Sequence, residues 1–139
     1  MKTKLDNNFL FIRIDRGEYL VESLKKACII HNVKTAHVSG IGATDCFKCG
    51  VYNIENKSYK EIEFNGTFEI LSLSGSVTQK NNEPYIHVHI CASDENGSAI
   101  GGHLLDARVS VTCELTLLLS DSVIKRFFDE SIGINLLEL

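Results

Sequence analysis

His87-Val88-His89 and Gly101-Gly102-His103 place three of the chain's five histidines between residues 87 and 103. In an extended strand alternate side chains share a face, so His87 and His89 stand about 6–7 Å apart on one side. Imidazoles at that separation can share a metal ion, and a return of the chain can bring His103 to the same ion. Three neutral imidazoles are the minimum protein set of an open tetrahedral zinc centre, whose last position is left for water or a ligand. His87, His89 and His103 are therefore the predicted metal ligands. Zinc is the favoured ion, with nickel, iron and copper also compatible with nitrogen ligands.

Strand parity says how these residues must be held. Along Tyr85–Ala92, Ile86, Val88, Ile90 and Ala92 form an apolar face, and Tyr85, His87, His89 and Cys91 form the other. The apolar parity belongs to the core, so the histidines face a cleft, a subunit interface or water. Along Ala107–Leu119, Val109, Val111, Cys113, Leu115, Leu117 and Leu119 form the core parity, with Arg108, Ser110, Thr112, Glu114 and Thr116 opposite. Pairing of these two strands would set Glu114 and Arg108 beside the histidines as candidate proton-handling or carboxylate-binding groups.

The remaining elements follow from local pattern. Phe9–Ile14 is apolar on both parities and reads as a strand buried on both faces. Asp15 and Glu18 have capping-box spacing before a helix over Glu18–His31, with Leu20, Leu24, Ala27 and Cys28 on one stripe and Asn32 ending it. Lys34–Ser39 is extended, and Gly40-Ile41-Gly42-Ala43 reads as a bend. Cys46–Ile54 and Ser58–Phe64 flank a polar hairpin loop at Glu55–Lys57, and Asn65-Gly66 is a tight-turn signal. Phe68–Thr78 is a strand, residues 79–84 and Asp94–Gly97 are turns, Gly101-Gly102 is a bend, and Phe127 onward forms a last strand around Gly133. One helix among many strands predicts an α+β fold on a largely antiparallel sheet, in a single domain spanning residues 1–139.

Composition narrows the functional classes. Hydrophobic residues are 44% and charged residues 23%, which fits a globular chain with a proper core. The net charge of −4 gives a field that repels nucleic acid as a whole. No run approaches the ~20 apolar residues of a membrane span, and the polar opening is unlike a signal peptide. Five cysteines without a disulfide framework predict a reducing, cytoplasmic setting.

Other motifs are better read structurally. Cys46-Phe47-Lys48-Cys49 has C-x-x-C spacing but falls in a strand, whereas redox pairs of this kind open a helix. Gly40-Ile41-Gly42-Ala43 lacks the third glycine and the following helix of a nucleotide loop. His31, near the end of the helix, suits its dipole.

Six segments occur in order along nearly the whole chain: Arg13-Ile-Asp-Arg-Gly-Glu18, Val38-Ser-Gly-Ile-Gly-Ala43, Gly66-Thr-Phe-Glu-Ile-Leu-Ser-Leu-Ser-Gly75, His87-Val-His89, Gly101-Gly-His-Leu104 and Cys113-Glu114. Together they resemble the PPC domain family, shared by plants and prokaryotes. The resemblance implies an α+β fold with a strongly bent antiparallel sheet, a homotrimer, and a DNA-binding or regulatory role. Thr67 stands where the plant domain carries arginine, and the basic AT-hook of the plant proteins is not in the sequence. The histidines at 87, 89 and 103 match the family's positions and are similar to the three-histidine zinc site of acetolactate decarboxylases. That similarity implies an alternative: a zinc-dependent lyase acting on a small oxo- or hydroxy-acid, with Glu114 or Arg108 handling a proton or carboxylate.

Overall fold

The computed structural model describes residues 1–139. The elements follow as β1 Lys2–Asp6, β2 Phe9–Asp15, α1 Leu20–Ile30, β3 Thr35–Asn53, β4 Ser58–Lys80, β5 Glu83–Ser93, β6 Ala99–Ser120, β7 Lys125–Asp129 and β8 Ile134–Glu138. All strands join one sheet, in the order β1-β2-β6-β3-β4-β7-β8, with β5 bonded to both β4 and β6. Because β3 also bonds β4 and β6, the long strands β3, β4, β5 and β6 form a closed circuit of antiparallel pairing. The sheet therefore bends back on itself, and this bend puts distant residues side by side. The antiparallel α+β architecture predicted from the sequence is the one observed.

The core is built from alternation. Leu10, Ile12 and Ile14 of β2, Val88 and Ile90 of β5, and Leu115 and Leu117 of β6 are all buried. The stripe Leu20, Leu24, Ala27 and Cys28 closes over them, packing α1 against β2, β5 and β6. Each fully buried leucine of this set contributes about 1.5–3 kcal/mol, and truncating Leu24 to alanine would cost about 2–5 kcal/mol. No helix is long and apolar enough to cross a membrane.

Several local expectations are corrected by pairing at long range. β2 is buried on one face only; Phe9 and Phe11 on the other are 40% and 44% exposed, since nothing in the subunit covers that face. Glu18 does accept the Asp15 N–H as in a capping box. The helix nevertheless begins at Leu20, and its first turn is capped from afar, the Val21 N–H donating to Asp106 Oδ1 of β6 at 3.0 Å. The stretch around Gly40 and Asn65-Gly66 turns nowhere. Both lie inside continuous strands as irregularities of the β3–β4 register, and β4 turns only within the expected residues 79–84, at Asn81-Asn82, both with positive φ. Gly101-Gly102 is likewise strand rather than bend, and β6 starts eight residues before the predicted Ala107. Val111 is 69% exposed instead of core, because β6 carries extra residues where its register against β3 slips between Gly42 and Thr44. The C-terminal segment forms two strands rather than one, turning at Gly133.

Candidate metal centre

β5 delivers its parity as expected: Val88, Ile90 and Ala92 are buried, while His87 and His89 stand on the other face. His103 arrives from β6 as the direct cross-strand partner of His89. The strands can approach this closely because β6 is glycine there. A Cβ on Gly101 would sit 2.0 Å from the Ile90 carbonyl oxygen. The three rings end with centroids 5.2–5.6 Å apart. One ligating nitrogen from each histidine lies within 4.8 Å of the others. A tetrahedral ion with bonds of 2.0–2.1 Å holds its nitrogens about 3.3 Å apart. Side-chain movements of about 1–1.5 Å therefore close the set.

Electrostatics fit the same role. Burial, then the neighbouring Arg126, His103 and His89, push the His87 pKa down to about 4. Burial and His89 also lower that of His103. Both rings are thus neutral near pH 7, the only form that ligates a metal. His103 Nδ1 is buried with no hydrogen-bond partner, an expense that folded proteins rarely carry without a ligand to satisfy it. Donor type, spacing and an unpartnered buried nitrogen all fit a zinc-like divalent ion.

Beside His87 and His103 opens a cavity of about 200 Å³, also lined by Tyr59, Tyr85, Arg126, Phe128, Ile134 and Asn135. Arg126 is the chief residue that sequence reasoning missed. Its Nη2 donates to His87 Nδ1 at 3.2 Å, its Nε to Thr78 Oγ1 at 2.8 Å, and its Nη1 to the Asn135 carbonyl at 2.9 Å. The guanidinium also sits over the Tyr85 ring, 4.8 Å from its centroid. Tyr85 was findable, because it shares the parity of His87 and His89. Arg126 was not, since it reaches the site on the β7–β8 hairpin.

Glu114 and Arg108 do not join the histidines within the subunit. Glu114 is exposed and faces Arg13 of β2 and Ile41 of β3. His103 faces Gly50 on that same β3 strand, nine residues from Ile41 and so about 30 Å of strand away. Arg108 is held by Asp45 through two bonds of 2.9 and 3.0 Å. Cys46 and Cys49 are both free thiols in β3. Three residues apart on a strand, they point to opposite faces and cannot act as a pair. His31 caps the C-terminus of α1 and bonds Thr3 through Nε2.

Fold and site define a class of small α+β proteins whose bent antiparallel sheet carries a cluster of imidazoles. The Plants and Prokaryotes Conserved (PCC) domain model matches residues 1–120, and the chain belongs to that family. A PPC protein of Pyrococcus horikoshii is 32% identical with a TM-score of 0.88, over 99% of this chain and 95% of that one. A metal-containing protein of Archaeoglobus fulgidus is 33% identical with a TM-score of 0.86, over 97% and 95%. A presumed DNA-binding protein of Bacteroides thetaiotaomicron is 26% identical with a TM-score of 0.96, over 99% and 96%. Acetolactate decarboxylase of Bacillus subtilis shares the fold alone, at 18% identity and a TM-score of 0.55, over 84% of this chain and 54% of the enzyme. No curated protein matches the sequence.

Proposed function

We propose that residues 1–139 act as one PPC-type domain, assembled as a homotrimer in the cytoplasm, that binds zinc through His87, His89 and His103. The observation that carries the reading is the convergence of three imidazole nitrogens within 4.8 Å, one ring having a buried Nδ1 with no partner. The similarity to a metal-containing archaeal protein supports it. When bound, zinc would supply a Lewis acid facing the small cavity. Burial within the chain holds the His87 and His103 imidazoles neutral, and His89 completes the set from the exposed side.

Elemental analysis of protein made without a His-tag, after zinc is offered at neutral pH, tests the site. One zinc per chain is expected, falling to none in His89→Ala. Assembly is supported by apolar side chains left uncovered on the sheet, among them Ile41 at 60%, Leu71 at 51% and Val111 at 69% exposed around one groove. Sedimentation of a stable monomer at micromolar concentration would contradict the trimer. Five free thiols suit a reducing cytoplasm.

DNA binding is a second reading, favoured by one feature. Lys34, Lys80, Lys125 and Arg126 line a common groove that contains no acidic residue. Retardation of duplex DNA at low salt, abolished by Lys34→Glu with Lys125→Glu, would support it. The zinc-dependent lyase reading is weaker, because no carboxylate lines the histidine cavity to serve as a general base.

A further inference from the structure

Arg126 is a partly buried guanidinium with no carboxylate partner. Its partners are instead a hydroxyl, a carbonyl, an imidazole nitrogen and an aromatic face. The cavity it lines with His87 and His103 contains no aspartate or glutamate. Taken with the metal-site reading, on which this inference rests, a divalent ion and a guanidinium would adjoin one small space with nothing of opposite charge. Lys34, Lys80 and Lys125 add further positive potential from the adjoining groove. Such a site is completed by an anion.

The geometry points to a small monocarboxylate as the ligand of this cavity, with Arg126 as its anchor. A guanidinium has five N–H donors, and Arg126 uses three, one from each nitrogen. One N–H on each terminal nitrogen therefore stays free, the pair that matches the two oxygens of a planar carboxylate. The space of about 200 Å³ has room for about seven water-sized groups. Tyr59, Phe128 and Ile134 offer apolar surface for a short carbon chain rather than a second charged group.

Metal and carboxylate binding are coupled through His87. Arginine only donates, so His87 Nδ1 accepts in the bond to Arg126. Ligation through Nε2 puts the ring proton on Nδ1, and ligation through Nδ1 occupies its lone pair. Either way that nitrogen stops accepting, and the Nη2 of Arg126 gains a second free N–H. Zinc loading therefore raises the affinity for the anion, and by linkage the anion raises the affinity for zinc.

Calorimetric titration of zinc-loaded and of metal-free untagged protein with pyruvate, methyl pyruvate and inorganic phosphate tests the inference. Pyruvate should bind once per chain, at least tenfold more tightly with zinc present, and its uncharged methyl ester should not bind. Arg126→Gln should lower pyruvate affinity tenfold or more while still taking up one zinc per chain, and Arg126→Lys should recover part of the loss. Circular dichroism establishes that both variants fold. Equal pyruvate affinity in wild type and Arg126→Gln overturns the anchor, and binding of phosphate without pyruvate overturns the ligand class. If the wild type takes up no zinc, the metal reading fails and the metal-free titration decides the rest. Pyruvate binding that depends on Arg126 would then sustain the carboxylate site, and its absence would remove it.

Discussion

Gly75→Ala tests whether strand spacing positions the metal centre. Gly75 lies in β4 directly opposite Val88, between the pairs Ser76–His87 and Ser74–His89. A Cβ built there falls 2.0 Å from the His87 carbonyl oxygen and 2.6 Å from the Val88 Cα. Both are backbone atoms, so no side chain can swing aside. Restoring ordinary contact at more than 3 Å forces β5 to retreat by about 1 Å. Overpacking of this kind costs about 1–3 kcal/mol. At roughly 3–5 °C per kcal/mol for a domain of this size, the midpoint of thermal unfolding should fall by roughly 3–15 °C. The same retreat displaces His87 and His89 relative to His103 on β6, the strand on the other side of β5, and bonds of 2.0–2.1 Å to one ion tolerate little such movement. Zinc should therefore stabilise Gly75→Ala less than it stabilises the wild type. Thermal unfolding by circular dichroism, with EDTA or with excess zinc, measures both effects. A variant within 1 °C of wild type, with an unchanged zinc increment, would refute the reasoning.

Three further outcomes are expected. The His87 pKa lies at about 4 when folded, below the ~6.5 of an unfolded histidine, so on acidification the unfolded chain takes the proton first. Metal-free protein should lose stability as pH falls from about 6.5 towards 4. The full shift corresponds to about 3 kcal/mol, and screening of this half-buried ring reduces that to about 1–2 kcal/mol; urea unfolding of wild type and His87→Phe across that window measures the difference. His103→Leu removes the unpartnered buried Nδ1 and should raise metal-free stability by about 1 kcal/mol while abolishing zinc uptake, read by denaturation and elemental analysis. Asp106→Ala strips the remote cap from the Val21 N–H and should cost about 1–2 kcal/mol in chemical denaturation, whereas Asp106→Asn keeps an acceptor and should lose less.

What was legible in the sequence was whatever short periodicity controls. The Tyr85–Ala92 alternation placed Val88, Ile90 and Ala92 in the core and both histidines opposite, and the helical stripe from Leu20 to Cys28 is the one observed. What was not legible depends on which strands meet. Asn65-Gly66 has the local chemistry of a turn, yet pairing with β3 carries the strand through it. The cap of α1 comes from Asp106, 85 residues away. Glu114 was expected beside the histidines because its parity is right. Parity fixes a face but not a position along the strand, and β6 meets β5 only over Ala99–His103, well short of Glu114. Arg126 reaches His87 from an element whose sequence carries no mark of that destination.

X-ray absorption at the zinc edge, on untagged protein loaded with one equivalent of zinc, tests the central claim most directly. The predicted spectrum contains three imidazole nitrogens and one oxygen ligand at about 2.0–2.1 Å, with the imidazole signature reduced in His103→Ala. A sulfur shell near 2.3 Å, or a spectrum unchanged by that substitution, would place the metal elsewhere and contradict the account.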